Sequence, residues 1–258
     1  MQVEQNKWTP DQGWQFAPGH QKKAQLVLIF GERKMLQHEN WLGELRAWYP
    51  EAQFVGCSTS GEILDSDVSE STIVTTALYF ERTELRFHSV YAKDFDSSFE
   101  AGRTLAELFP PNGLNHVFVL SPGLGVNGSD FLRGMNSRIA PGCTISGGMA
   151  GDQDRFEETF VISDQKITND LIVGIGFYGP HLKVVSASMG GWEGFGQTKT
   201  VTRSIENRLS EIDGRPALEV YRNLLGDHAR NLPASALLFP LSLEKAGEEK
   251  SVVRTILS

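Results

Sequence analysis

The chain has 258 residues, a net charge of −8 and two cysteines, Cys57 and Cys143. The acidic balance argues against a nucleic-acid partner, whose phosphates need a basic patch. No stretch approaches the ~20 consecutive apolar residues of a membrane span, and the opening MQVEQNKWTPDQGWQ lacks the apolar core of a signal peptide. Two cysteines are too few for a disulfide scaffold, so a reducing cytoplasm is the expected setting.

Residues 1–23 are polar and read as a loose arm, with Trp8, Trp14 and Phe16 as anchors. QLVLIF at 25–30 reads as a buried strand. Trp41, Leu42, Leu45 and Trp48 then fall on one helical face, and Pro50 stops the helix. FVGCSTSGEI reads as a strand running into a tight loop. TIVTTALYF and ELRFHSVY, joined by a short polar turn, predict a hairpin. SFEAGRTLAELF predicts a second helix, ended by Pro110 and Pro111.

The same order then recurs. Residues 27–30 line up with 117–120 at an offset of 90, and Trp41, Leu42 and Leu45 with Phe131, Leu132 and Met135. At that offset Val55 meets Ile145, Cys57 meets Gly147, and Glu62 meets Asp152. After an insertion the offset becomes 97, where Val74 matches Leu171, Leu78 matches Ile175 and Phe80 matches Phe177. The pattern predicts an internal duplication, with repeats at about 25–110 and 115–190. βαβ-like patterns resembling one another is the alternative.

Beyond residue 190, GGWEGFGQT reads as a connection and TVTRSIENRLSEI as a hairpin turning at Glu206-Asn207. IDGRPALEVYRNLLG predicts a helix, with Asp213 as cap, Pro216 in the first turn and Gly226 at the C-terminal end. SALLFPLSL reads as a strand or turn. SVVRTILS reads as a strand without a following turn, so the polypeptide is expected to continue.

Gly123, Gly125 and Gly128 fit the G-x-G-x-x-G spacing of a dinucleotide fingerprint. At the offset of 90 their counterparts are Arg33, Met35 and His38, and the next strand, CTISGG, holds no acid for a ribose. The stretch therefore reads as a strand-to-helix turn capped by Asn127 or Ser129, whose helix N-terminus could still hold an anionic group.

The loops VGCSTSGE and ISGGMAGD occupy the same place in the two halves. Their small residues would let backbone N–H groups approach a ligand, hydroxyls and an acid standing beside them. The candidate ligand-binding residues are Gly56, Cys57, Ser58, Thr59, Ser60, Gly61, Glu62, Ser146, Gly147, Gly148, Gly151 and Asp152. The competing reading is two tight turns where the halves pack together. GCSTSG is not G-x-S-x-G, and Cys57 reads as a buried thiol rather than a nucleophile. The six histidines (20, 38, 88, 116, 181, 228) show no metal-binding spacing, although one axial histidine would suffice for a haem. Asp152, Gln153 and Asp154 read as a solvated loop rather than a cation site.

VGCSTSGEI, SGGMAGD, Gly191-Trp192 before TVT, and EIDGRPALEVYRNLLG together resemble the FIST family over residues 24–258. The resemblance implies a sensory input module with an N-terminal and a C-terminal FIST domain that binds small ligands such as amino acids, some bacterial members being associated with haem and nitric oxide. It supplies no catalytic residues. It also implies the boundaries 1–23 for the arm, 24–214 for the N-type domain and 215–258 for an incomplete C-type domain. The expected fold class is α+β: internally duplicated strand-helix-strand-hairpin units, mixed sheets packed together and helices outside. The expected function is a non-enzymatic cytoplasmic small-ligand sensor. It would signal to a separate output protein and have no nucleic-acid or membrane partner. The alternatives are a haem-binding nitric-oxide sensor and a Cys57- or Ser58-dependent enzyme.

Overall fold

The computed structural model describes residues 1–17, 23–38, 41–187, 192–205, 207–244, 247 and 251–256. Its elements begin with β1 (Gln2–Thr9), β2 (Gly13–Trp14), β3 (Leu26–Gly31), α1 (Arg33–Leu36), α2 (Trp41–Trp48) and β4 (Gln53–Ser58). Next come β5 (Glu62–Leu64), β6 (Asp67–Ser69), β7 (Ile73–Tyr79), β8 (Glu84–Tyr91), α3 (Ser98–Glu107) and β9 (Leu114–Ser121). They are followed by α4 (Gly128–Asn136), β10 (Thr144–Met149), β11 (Val161–Ser163), β12 (Lys166–Thr168) and β13 (Leu171–Tyr178). These belong to one compact unit, Met1–Ser186; Ala187–Ser258 form a second.

The first unit is built in four layers, and mixed α+β is its observed class. Sheet order is β12-β11-β4-β3-β7-β1-β2 in a seven-stranded sheet and β10-β9-β13-β8 in a four-stranded one. Apolar residues of both sheets meet in one cluster that includes Leu26, Val55, Cys57, Leu120, Val173 and Ile175. On its outer face the seven-stranded sheet packs Val27, Ile29 and Phe54 against Trp41 and Leu45 of α2. The four-stranded sheet packs Val117, Val119 and Ile172 against Leu105 of α3 and Phe131 and Met135 of α4. Strands covered on both faces need continuous apolar runs, which is why QLVLIF and LIVGIGFY do not alternate. α3 and α4 cross at a pair of glycines: a Cβ on Gly102 would stand 2.1 Å from the Phe131 carbonyl oxygen, and one on Gly134 2.0 Å from that of Phe99.

One strand triple recurs. β4 runs parallel to β3 and β7 antiparallel to it; β10 runs parallel to β9 and β13 antiparallel to it. The halves also exchange elements, since β8 follows β7 in the chain but pairs with β13, and β11 follows β10 but pairs with β4. The predicted β7–β8 hairpin is thus corrected. The segment between them crosses from one sheet to the other, so each strand finds its partners elsewhere. The predicted loose arm is corrected as well. β1 lies antiparallel along β7 from Gln2↔Tyr79 to Trp8↔Ile73, and Trp8 is buried whereas Phe16 is exposed. Its polar residues sit at the sheet margin, a pattern that polarity alone does not distinguish from a free arm.

The registers also correct the predicted offsets. β3 maps on β9 at 90, but Leu26↔Gln53 and His116↔Thr144 place β4 on β10 at 91, so Cys57 corresponds to Gly148 and not to Gly147. The extra residue lies in 140–143, opposite 50–52. Ile29↔Thr75 and Val119↔Gly174 place β7 on β13 at 99 rather than 97.

In the second unit β14 (Val201–Ile205) and β15 (Arg208–Ile212) form the predicted hairpin, with Glu206 outside the described residues. β16 (Arg215–Pro216), α5 (Ala217–Leu225), β17 (Leu241–Leu243) and β18 (Val252–Arg254) follow. Gly226 ends α5 at φ 57°, as predicted. Pro216 precedes the helix rather than lying in its first turn, and Asp213 does not cap it; its carboxylate accepts from Thr200 N–H (2.8 Å) and Lys199 Nζ (3.2 Å). Residues 192–199 carry no regular element, and Gly190 and Gly191 of the predicted connection lie outside the described residues.

Candidate functional site

The loops leaving β4 and β10 meet. Gly151 N–H donates to the Ser58 carbonyl (2.8 Å), Gln153 N–H to Ser60 Oγ (2.9 Å), and Phe160 N–H to Ser58 Oγ (2.9 Å). Ser58 N–H returns a bond to the Phe160 carbonyl (2.8 Å). A Cβ on Gly151 would stand 2.6 Å from Ser60 Oγ, so glycine is what lets the loops close on each other.

Beneath them lies a charge network that local sequence reading missed. Glu32 and Arg33 leave the end of β3, in the first half of the unit; Asp152, Arg155 and Glu157 leave the end of β10, in the second. Arg155 reaches both Glu32 and Asp152, the latter at 3.2 Å. Arg33 joins Asp152 (3.1 Å) to Glu157 (2.6 Å). Asp152 also accepts from Glu157 N–H (3.1 Å) and Glu158 N–H (3.2 Å). It is buried, not part of the predicted solvated loop: two guanidiniums and two amides compensate its charge, as a buried carboxylate requires. The only local signal was a Glu-Arg pair directly after an apolar strand.

Glu62 is buried beside this network, and its carboxylate accepts from Thr59 Oγ1 (2.7 Å) and Thr72 Oγ1 (2.8 Å). Burial raises its pKa above the ordinary carboxylate range; Glu32 adds to the rise and the threonine bonds oppose it. Among the described residues no group of three or more His, Cys, Asp or Glu is arranged to hold a metal ion.

The predicted site residues separate into two sets. Gly56, Cys57 and Ser58 are buried in β4, and Gly147 closes on β9, where a Cβ would stand 1.8 Å from the Val119 carbonyl oxygen. Ser146 Oγ is held by His116 Nε2 at 2.9 Å. Thr59, Ser60, Gly61, Gly148 and Gly151 keep exposure, and a Cβ on Gly148 would meet nothing within 4 Å. Burial pushes the Cys57 thiol up to about 12, so it is no activated nucleophile.

The glycine fingerprint has packing uses. A Cβ on Gly123 would stand 2.0 Å from the Ala150 carbonyl oxygen, and Gly125 turns at φ +79°. Asn127 caps α4, its side chain accepting from Asp130 N–H (3.3 Å), while the Asp130 carboxylate accepts from Asn127 Nδ2 (3.2 Å) and pairs with Arg133 (2.8 Å).

Four of the five described histidines are held by neighbours. Both nitrogens of His116 are bonded, to Thr144 Oγ1 (2.7 Å) and Ser146 Oγ. His88 lies edge-on to Phe109 at 4.9 Å and His38 against Trp8 at 5.5 Å; His181 is exposed, and His228 in the second unit packs on Phe239. His20 lies outside the described residues. A hollow of about 440 Å³ opens at the other end of β4, lined by Arg46, Gln53, Ser89, Asp164 and Lys166 among others, with no histidine. No described helix is long and apolar enough to cross a membrane.

No curated protein matches this chain. A family model, the FIST N domain, matches residues 25–215, so both halves and the whole loop junction fall within it. With most of its length inside that match, the chain belongs to the FIST family.

Proposed function

We propose that this chain is the input module of a sensory system and that a small polar ligand of amino-acid size is read at the loop junction. Membership in the FIST family is consistent with a sensory, signal-transducing role. The observation that carries the reading is the joining of two strand-end loops, one from each half, over a buried ionic network. Thr59, Ser60, Gly61, Gly148 and Gly151 are the candidate residues in these loops that keep exposure. The ligand acts by preferring one of two arrangements of these loops, and it shifts their balance only by its difference in affinity for the two. The output is a separate cytoplasmic protein, no catalytic step is required, and the two halves descend from one duplicated unit. Residues 215–258 begin a C-type FIST domain.

Titration calorimetry with a panel of amino acids tests the reading on the full chain and on Gly148→Leu. A Cβ at Gly148 would meet nothing within 4 Å, so the added side chain starts from open space and would obstruct a ligand approaching there. Binding in the wild type, lost in Gly148→Leu at unchanged melting temperature, is expected. Binding that survives the substitution would place the ligand elsewhere.

A further inference from the structure

The first unit contains two hairpins of the same design, and one is seated where the other is not. β5–β6 pairs Glu62↔Ser69, Ile63↔Val68 and Leu64↔Asp67; β11–β12 pairs Val161↔Thr168, Ile162↔Ile167 and Ser163↔Lys166. Each turns through an aspartate in the left-handed region, Asp65 at φ 55° and Asp164 at φ 53°. Hairpin maps on hairpin at the same offset of 99 that relates β7 to β13.

Their surroundings differ. β11 lies along β4, with Val161↔Cys57, Ile162↔Gly56 and Ser163↔Val55, and its Ile162 is 0 % exposed against the helix-side core, joined there by Ile167. In β5–β6 the corresponding residues stand in solvent, Ile63 64 % exposed and Val68 72 %. Among the described strands β5 pairs with β6 alone, and β10, the counterpart of β4, pairs with β9 alone. Among the described residues there is thus a hairpin with an exposed apolar pair and a sheet edge without a strand partner, and the β4–β11 seat shows how such a pair fits together.

The tether decides whose hairpin can reach the edge. β11 follows β10 after residues 150–160, long enough to cross to the other sheet. β5 follows β4 after only residues 59–61, so Glu62 lies at most about 14 Å from Ser58, and Glu62 is anchored to Thr59 and Thr72. The chain's own β5–β6 is thus held beside its own sheet.

The seated hairpin shows what a second copy's hairpin would meet. At the occupied seat Asp164 N–H donates to the Phe54 carbonyl (2.7 Å), Phe54 N–H donates to Asp164 Oδ1 (3.3 Å), and Arg46 of α2 stands 3.9 Å from the same oxygen. At the open edge the position of Phe54 is Ile145, and that of Arg46 is Asn136 in α4. The free hairpin brings Asp65 and Asp67, with Glu70 behind them, all exposed.

We propose that two copies of this chain associate by laying β5–β6 of each along the β10 edge of the other. The register follows from the seated hairpin: Glu62 opposite Gly148, Ile63 opposite Gly147 and Leu64 opposite Ser146 of the second copy. Each copy gives one hairpin and offers one edge, so the contact closes on itself as a two-fold dimer. The pairing runs in the plane of the sheet, whereas a ligand at Gly148 approaches from its face, and the dimer stands without any ligand.

Sedimentation velocity on the full chain without ligand tests this. A concentration-dependent dimer is expected, with Ile63→Asp/Val68→Asp monomeric at unchanged far-ultraviolet circular dichroism. A cross-link reads the register independently. In a Cys143→Ser background, Leu64→Cys protein mixed with Ser146→Cys protein should give a covalent heterodimer that neither gives alone, since paired strand residues lie within disulfide reach. A wild type that stays monomeric at every concentration, or a dimer that forms no such cross-link, would overturn the proposal.

Discussion

Glu62 shows how a residue's surroundings decide its chemistry. Its type and its place after a glycine were legible in the sequence. Its burial and its threonine partners were not, because Thr72 arrives from the start of β7. A carboxyl whose folded pKa is raised stabilises the fold at pH values below the ordinary carboxylate range, and that contribution is lost as pH rises through the raised value. Glu62→Gln keeps a neutral group between the threonines at every pH. Scanning calorimetry across this range should show the wild-type melting temperature falling relative to Glu62→Gln as pH rises from about 4; parallel curves would mean that Glu62 does not titrate as described. The same blindness to distant partners hid Glu32, Arg33 and Arg155. An arginine four positions beyond a loop glycine is ordinary until the fold brings a glutamate 123 residues away in sequence against it.

At the scale of elements, the apolar pattern located the longer strands and helices of both halves, but not β1, the short hairpins β5–β6 and β11–β12, or the registers. A slip of two residues leaves a strand's alternation unchanged, so the offset of 97 matched as well as the observed 99. A slip of one exchanges the faces, and it went unseen at β10 because that strand is mostly small residues. The β7–β8 hairpin was misread for a related reason: a short polar segment between two apolar runs looks alike whether it turns back or crosses between sheets. The helix crossing carries a test. Gly134→Ala would force a Cβ to within 2.0 Å of the Phe99 carbonyl oxygen, so urea unfolding should show a loss of about 2–3 kcal/mol. Gly148→Ala, with open space around its Cβ, should stay within about 0.5 kcal/mol of wild type. Equal effects would deny the close approach of α3 and α4.

For the whole first unit, the layered arrangement explains why the two loops face each other. Two sheets share one core, exchange strands, and so fix their strand ends together at Ser58 and Gly151. Sequence reading paired these loops through the recurrence of the pattern, and the family match covers both. The ionic contacts binding one to the other depend on the exchange of strands, which no local pattern reports. The junction is where the proposed ligand would act. Hydrogen exchange followed by mass spectrometry reads it directly, on the full chain with and without a mixture of the twenty amino acids at millimolar concentration. Protection should rise at the amides of Gly151, Gln153 and Phe160 while α3 and α4 remain unchanged; exchange at these three amides that is identical with and without the mixture would contradict a sensory junction.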